Sequence, residues 1–149
     1  METTIKEDAI FNMSVEDIMI SSEKVAHVQL NNPLEHALLI LVKSGYAAVP
    51  VLDSQYRLEG VIGKHSILDE ITGLERFEVE KLSTTTVKDV MISDVPYLKK
   101  SADFFTCMKV LIDHNFICII DEDNYFEGIV TRRAVLKQIN RYFHVNNLI

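Results

Sequence analysis

The stretch Val15-Glu16-Asp17-Ile18-Met19 is repeated almost unchanged as Val87-Lys88-Asp89-Val90-Met91. A second stretch, Tyr56-Arg57-Leu58-Glu59-Gly60-Val61-Ile62, returns slightly shortened as Tyr125-Phe126-Glu127-Gly128-Ile129-Val130. The two copies stand roughly 70 residues apart, as expected for a duplicated structural unit. The sequence therefore predicts two similar halves related by pseudo-symmetry.

The size and composition of the chain limit its possible functions. Its 149 residues are enough for one compact domain or two closely packed halves. Hydrophobic residues make up 48% and charged residues 25%, which is ordinary for a globular protein. The net charge of −7 argues against general affinity for nucleic acids or anionic membranes.

Neither a membrane anchor nor a secretion signal is expected. The sequence lacks a run of about 18 apolar residues, which a transmembrane helix requires. Its first eight residues lack the basic start and apolar core of a signal peptide. We therefore expect a cytoplasmic protein in which Cys107 and Cys118 are reduced and pack in the interior.

Each half shows the same predicted order: strand, helix, strand, strand, helix. In the first half, apolar residues have helical spacing over 33–44, with Asn32 as N-cap and Gly45 as the left-handed end. In the second half, Ser101 is the expected cap and Asn115 replaces the glycine. Strands are predicted at 25–29, 46–52, 58–63, 95–99, 116–120 and 126–131, and closing helices at 65–71 and 132–143.

These elements divide the chain into five segments. We expect a helical N-terminal extension (1–13), a first repeat (14–71), a connector (72–86), a second repeat (87–143) and a C-terminal tail (144–149). Within the repeats, polar hairpin turns are expected at 53–56 and 121–124. The predicted fold class is a mixed α+β (α/β) arrangement of two β-α-β-β-α repeats.

Motifs of catalysis and metal binding do not occur in the sequence. It contains no P-loop, no dinucleotide-binding glycine motif, no HExxH and no GxSxG. The residues from Asp121 begin like a calcium loop, but Phe126 stands where glycine is needed and Arg132 where glutamate is needed. The histidines lack metal-ligand spacing. The sequence thus predicts a protein that is not an enzyme and has neither a metal nor a cofactor.

The two halves differ most in charge directly after their last strand. Gly63-Lys64-His65-Ser66 in the first half corresponds to Thr131-Arg132-Arg133-Ala134 in the second. A local difference of this kind in a duplicated fold marks a candidate functional site. Two arginines at the start of a helix, where backbone amides are available, suit a phosphate group.

The repeated motifs resemble those of a tandem pair of CBS domains, known as a Bateman module, over residues 14–140. A closer similarity, to small Gram-positive CBS-pair proteins of the CbpB/DarB type that bind cyclic di-AMP, is carried by four stretches. These are Lys24-Val25-Ala26-His27-Val28, Leu34-Glu35-His36-Ala37-Leu38, Gly73-Leu74-Glu75-Arg76 and Phe126-Glu127-Gly128-Ile129-Val130-Thr131-Arg132-Arg133.

The resemblance implies two nucleotide clefts, each formed by strands of one repeat and the final strand-to-helix turn of the other. The first would be lined by Lys24, Ala26, Tyr46, Ala47, Ala48, Pro50, Thr131, Arg132 and Arg133. The second would be lined by Tyr97, Phe116, Cys118, Lys64 and His65, together with Val95, Ile117, Gly63 and Ser66.

Several of these residues also have a plainer interpretation. Arg132 and Arg133 could belong to a solvated helix face, since Arg133, Lys137 and Arg141 lie four residues apart. Lys24 could be an ordinary surface lysine, and Thr131 could simply cap the following helix.

The resemblance also implies a function: a cyclic di-AMP sensor whose occupancy controls binding to partner proteins. Such proteins form homodimers and, when empty, engage enzymes that include the bifunctional (p)ppGpp synthetase/hydrolase and pyruvate carboxylase. Many nucleotide-binding CBS repeats place an acid, which holds both ribose hydroxyls, where this chain has Ala134. Because the 3′ oxygen of a cyclic dinucleotide is esterified, the missing acid favours a cyclic diester. The alternatives are a sensor of AMP, ADP or ATP, and a dimerisation scaffold without a ligand.

Overall fold

The computed structural model describes residues 12–148, which form two compact units. One unit consists of residues 12–25 and 96–148, and the other of residues 26–95. The N-terminal helix predicted before Asn12 lies outside the described residues.

The predicted order of strands and helices in each half is confirmed. Residues 12–148 contain seven strands: β1 (Ile20–Ser21), β2 (Val28–Gln29), β3 (Ala48–Leu52), β4 (Leu58–Gly63), β5 (Tyr97–Lys99), β6 (Phe116–Ile120) and β7 (Phe126–Thr131). The same residues contain six α-helices: α1 (Leu34–Ser44), α2 (Lys64–Ile71), α3 (Lys81–Thr84), α4 (Val87–Val90), α5 (Phe104–Val110) and α6 (Arg132–Val145). Short 3₁₀ turns lie at Val15–Asp17 and Ser22–Lys24.

The unit of residues 26–95 is built on a three-stranded sheet in the order β2-β3-β4. β2 runs parallel to β3, whereas β3 runs antiparallel to β4, with Ala48 opposite Gly63. Its core joins α1, the sheet and α2 through fully buried side chains that include Leu41, Val51 and Ile67.

The unit of residues 12–25 and 96–148 has a four-stranded sheet in the order β1-β7-β6-β5. β5 runs parallel to β6, and β6 runs antiparallel to β7, with Phe116 opposite Thr131. The core includes Phe104 of α5, Ile119 of β6 and Val135 of α6. The register of β6 on β7 therefore repeats that of β3 on β4.

The opening motif of each repeat packs in the unit that contains the other repeat's hairpin. Val15 is fully buried in the core of the unit that contains β6 and β7, and Val87 is fully buried in the core of the unit that contains β3 and β4. The chain next to each motif then pairs with the sheet edge, Ile20 with β7 and Ile92 with β4. Each sheet thus gains an edge partner from the repeat to which it does not belong.

The glycine of the repeated Glu-Gly pair is required by this edge pairing. A Cβ atom on Gly60 would lie 2.5 Å from the carbonyl oxygen of Ile92, and a Cβ atom on Gly128 would collide with the carbonyl oxygen of Ile20. Both carbonyl oxygens belong to the backbone, which cannot move away as a flexible side chain can. The close approach of two backbones therefore explains why glycine recurs in both repeats.

The hairpin turns predicted at 53–56 and 121–124 are confirmed. Asp53 Oδ1 accepts hydrogen bonds from the backbone N–H groups two and four residues further on, at 2.8 and 2.9 Å. Asp121 Oδ1 accepts the two equivalent bonds, also at 2.8 and 2.9 Å. Each turn includes a residue with positive φ, 66° at Tyr56 and 71° at Asn124. The Asp121 carboxylate therefore holds a hairpin turn, as predicted for this segment.

The two predicted helix N-caps are wrong by one or two residues. α1 begins at Leu34 with Pro33 as its cap residue, and the Asn32 side chain instead accepts a bond from the Gln29 N–H at 2.8 Å. α5 is capped by Asp103 rather than Ser101, because Asp103 Oδ1 accepts a bond from the Thr106 N–H at 2.7 Å. Both side chains predicted as caps lie before the true cap position, in the turn that leads into the helix.

The helix ends differ between the repeats. Gly45 has φ 77° and ends α1 in the left-handed conformation, as predicted. The prediction that Asn115 does the same for α5 is wrong, because α5 already ends at Val110 and Asn115 does not have positive φ. The second repeat has two residues fewer between the start of its helix and the start of its next strand. Its helix has 7 residues instead of 11, and the segment between helix and strand is longer.

The other boundaries agree with the prediction within a few residues. β4, β6 and β7 have the predicted bounds. β3 begins at Ala48 rather than at residue 46, because its partner β4 ends opposite Ala48. β2 and β5 begin at Val28 and Tyr97, three and two residues later than predicted, and α6 continues two residues further, to Val145.

The predicted packing role of the cysteines is confirmed. Cys107 and Cys118 are buried and free, and burial raises the pKa of Cys107 to about 11 and that of Cys118 to about 12. Both thiols are therefore protonated and unreactive at neutral pH. Within residues 12–148, no helix has the length and apolarity needed to cross a membrane. The same residues contain no cluster of three His, Cys, Asp or Glu side chains that could hold a metal.

The capping role of Asp103 can be tested with Asp103→Ala. We expect the midpoint of thermal unfolding at pH 7 to fall by about 2 to 4 °C, as is typical for the loss of a helix cap in a chain of this length. The bond from the Thr106 N–H lowers the pKa of Asp103. The difference between variant and wild type should therefore begin to shrink as the pH falls below about 4, the ordinary pKa of aspartate, and should disappear once the Asp103 carboxylate is protonated at its lower pKa in the folded protein. Ser101→Ala is the control, and a comparable loss of stability in that variant would contradict the assignment.

Candidate functional site

The junction between β7 and α6 is held in place by two hydrogen bonds. Thr131 ends β7 and caps α6, since its Oγ1 accepts a bond from the Ala134 N–H at 3.0 Å. The Arg132 N–H donates to the carbonyl oxygen of Asn115 at 2.9 Å. The capping role predicted for Thr131 is therefore confirmed, and the first turn of α6 is fixed relative to the end of β7.

The Arg132 side chain makes contacts that the sequence did not predict. Its Nε–H donates to the carbonyl oxygen of Leu111 at 2.9 Å, and one Nη2–H donates to that of Ile112 at 3.3 Å. These carbonyls lie just after α5, at the helix end that favours positive charge. Arg132 is half-buried and forms no ion pair with any carboxylate among residues 12–148.

Arg133 follows Arg132 in the same turn and is exposed. Neither its guanidinium nor its backbone N–H has a hydrogen-bond partner within the described part of the chain. Two arginines in the first turn of a helix lie at the positive end of its dipole, an arrangement that is unfavourable without a counter-charge. An anion bound there would interact with both guanidinium groups and could accept a hydrogen bond from the unpaired Arg133 N–H.

The basic character continues along α6. Over Arg132–Val145 the helix carries Arg132, Arg133, Lys137 and Arg141 but no acidic residue, although the chain as a whole has a net charge of −7. A shallow, open depression of about 460 Å³ lies on this surface and is lined by Arg132, Arg133, Leu136, Lys137 and Asn140. Leu136 and Asn140 were not predicted, although their positions three and seven residues after Arg133 place them on its face of the helix.

Lys24 belongs to the same unit as the β7–α6 junction. It ends the 3₁₀ turn Ser22–Lys24, which packs against β7. Its side chain is exposed and forms no ion pair among residues 12–148. The structure thus gathers four of the predicted ligand residues in one unit: Lys24, Thr131, Arg132 and Arg133.

The other five residues of the first predicted cleft belong to the unit of residues 26–95. Tyr46 and Ala47 are exposed before β3, Ala48 is half-buried at its start, and Pro50 is buried within it. Ala26 is half-buried and precedes β2. The carbonyl oxygen of Ala47 accepts a bond from the first N–H of α2 at 2.9 Å, which is the counterpart of the bond between Arg132 and Asn115.

The second predicted set is also divided between the units. Tyr97 is exposed and pairs with Cys118 across β5 and β6, whereas Phe116 is half-buried and Cys118 is buried. Lys64 and His65 begin α2 in the other unit, and Lys64 forms no ion pair among the described residues.

The first turn of α2 differs from that of α6 in its cap as well as its charge. Gly63 is its cap residue and has no side chain to accept a bond. In α6, the Thr131 side chain accepts such a bond. The two junctions therefore share a backbone geometry but differ in the cap side chain and in charge.

Comparison with known proteins agrees with this duplicated architecture. The CBS domain matches residues 15–73 and 87–141. The chain is 45% identical to cyclic di-AMP receptor B of Bacillus subtilis over 145 residues, which is 97% of each chain. It is 56% identical to a CBS domain-containing protein of unknown function from Bacillus anthracis, with a TM-score of 0.86 over 91% of this chain and 98% of that one.

A further similar structure is that of the CbpB protein of Listeria monocytogenes in complex with c-di-AMP. It is 53% identical, with a TM-score of 0.81 over 87% of this chain and 96% of that one. The resemblance that the repeated motifs indicated is therefore confirmed: the chain belongs to the CBS-domain family and carries two copies of the domain.

Proposed function

We propose that this CBS-domain protein is a receptor for cyclic di-AMP. The observation that carries the proposal is the basic first turn of α6, in which Arg132 and Arg133 form no ion pair among the described residues. Each phosphodiester of cyclic di-AMP carries one negative charge, so the ligand would supply the counter-charge that this turn lacks. The Bacillus subtilis relative is named for the same ligand.

The missing acid after Thr131 supports a cyclic dinucleotide over a mononucleotide. A carboxylate at position 134 could hold both ribose hydroxyls of AMP, but in a cyclic diester one of those oxygens is esterified. A carboxylate there would also repel the neighbouring phosphate. Ala134 uses its N–H to complete the helix cap and has no charge to oppose the ligand.

The proposed role is regulatory rather than catalytic. Ligand occupancy would change which surface is offered to a partner, which requires a differential affinity of about 1 to 3 kcal/mol between the two states. We propose a cytoplasmic homodimer whose partners in the empty state are enzymes such as a (p)ppGpp synthetase/hydrolase or pyruvate carboxylase. The further ligand contacts that we propose, named from the family resemblance, are Lys24, Ala26, Tyr46, Ala47, Ala48, Pro50 and Thr131, with Tyr97, Phe116, Cys118, Lys64 and His65 in a second site.

The direct test is isothermal titration of the purified protein with cyclic di-AMP, cyclic di-GMP, AMP and ATP at equal salt concentration. We expect cyclic di-AMP to bind most tightly. At 100 times its dissociation constant it should also stabilise the folded protein by about 2.7 kcal/mol. Tighter binding of AMP or ATP would make the protein an energy sensor, and no binding of any nucleotide would favour a dimerisation scaffold.

The contribution of Arg132 is tested with Arg132→Ala. A charge-assisted hydrogen bond to phosphate is worth about 1.5 to 3 kcal/mol, so the dissociation constant for cyclic di-AMP should rise roughly tenfold to a hundredfold. The matched control is His36→Ala, because His36 is an exposed residue on α1, and its effect should stay below about twofold. Unchanged affinity in a folded Arg132→Ala variant would remove Arg132 from the site.

A further inference from the structure

The first helix of each repeat ends in a different way. α1 ends at Gly45, whose N–H donates to the carbonyl oxygen of Leu41 at 3.0 Å. α5 is shorter and is followed by Leu111 in a right-handed helical conformation, without a residue of positive φ. The carbonyl groups of Leu111 and Ile112 accept no backbone hydrogen bond within the described residues and need other partners.

Arg132 supplies those partners. Its side chain donates to the carbonyl oxygens of Leu111 and Ile112, and its backbone N–H donates to that of Asn115. Three hydrogen bonds thus join the first residue of α6 to the segment 111–115. In the other repeat, the equivalent residue Lys64 makes only the backbone bond to Ala47 among residues 12–148.

While it is bound to these carbonyl groups, the Arg132 guanidinium still has N–H donors available for a ligand. It has five N–H donors, of which the two bonds to Leu111 and Ile112 use two. The remaining three, which include both on Nη1, have no partner within the described residues. Since the side chain is already fixed, an anion that binds these donors need not restrict it further.

We propose that the carbonyl end of α5 positions the Arg132 guanidinium for a phosphate of the nucleotide, so that the segment 111–115 sets ligand affinity without touching the ligand. This inference rests on the proposed function of the protein as a cyclic di-AMP receptor. Glycine at position 112 keeps the carbonyl group but loosens the backbone that holds it, so Ile112→Gly should weaken binding through the loss of arginine order. Ile112 is 71% exposed, so the substitution removes little packing.

The first part of the test follows the Arg132 Nε–H signal by NMR in the full-length, ¹⁵N-labelled protein. We expect this proton to be protected from exchange in the free protein and to stay protected after cyclic di-AMP is added. The exposed Arg141 is the internal control and should exchange quickly in both states. Loss of Arg132 protection on ligand addition would mean that the ligand draws the arginine away from α5, which overturns the proposal.

The second part compares Ile112→Gly with Val42→Gly by isothermal titration. Both residues are apolar and exposed, and both lie near the end of the first helix of a repeat. Of the two, only Ile112 has a carbonyl oxygen that accepts a hydrogen bond from an arginine. Ile112→Gly should raise the dissociation constant for cyclic di-AMP about threefold to tenfold, whereas Val42→Gly should change it less than twofold. Unfolding curves must show that both variants are folded.

The outcomes separate this inference from the proposed function. Wild-type binding of cyclic di-AMP with an unchanged Ile112→Gly variant would overturn the positioning role alone. Failure of the wild type to bind cyclic di-AMP would overturn the proposed function and the positioning role together.

Discussion

The burial of one valine from each opening motif is the constraint on which the fold depends. Val15 and Val87 are both fully buried, each in the core of the unit that contains the other repeat's hairpin. Burying a valine side chain stabilises a fold by roughly 1.5 to 3 kcal/mol. The pairing of the next residues with a sheet edge then brings two backbones so close that only glycine fits at positions 60 and 128. The valine motif and the Glu-Gly pair are the most recognisable repeats in the sequence. They recur together because the chain that follows the valine packs directly against the glycine.

On this common framework, the two repeats keep the same backbone contacts and change the side chains. Both hairpin turns are held by an aspartate, and both closing helices begin with the same backbone bond to the residue before the central strand. The differences are concentrated at the first turn of the closing helix. One repeat has a glycine cap followed by a lysine, and the other has a threonine cap followed by two arginines. A backbone bond common to both repeats holds the start of this turn, and in α6 the side chains of Thr131 and Arg132 add further bonds.

Much of the fold could be predicted because its signals are local. Strands β4, β6 and β7 were predicted with their observed bounds, since apolar runs between turn residues define them. The helix caps were less predictable because Ser101 and Asp103 are both competent cap residues, and the start of the helix decides between them. The contact between Arg132 and the end of α5 could not be predicted at all. The acceptors of the Arg132 side chain are backbone carbonyl groups about 20 residues earlier in the chain. The pattern of side chains in the sequence does not indicate which carbonyl groups at a helix end lack a backbone donor.

The basic first turn of α6 is the place at which we propose that a phosphate of cyclic di-AMP binds. A crystal structure of the protein with cyclic di-AMP bound would show this contact or its absence. We expect a phosphate oxygen within about 3.2 Å of a guanidinium nitrogen of Arg132, with the open N–H of Arg133 directed at the same group. A well-ordered ligand whose phosphates lie away from this turn would contradict it.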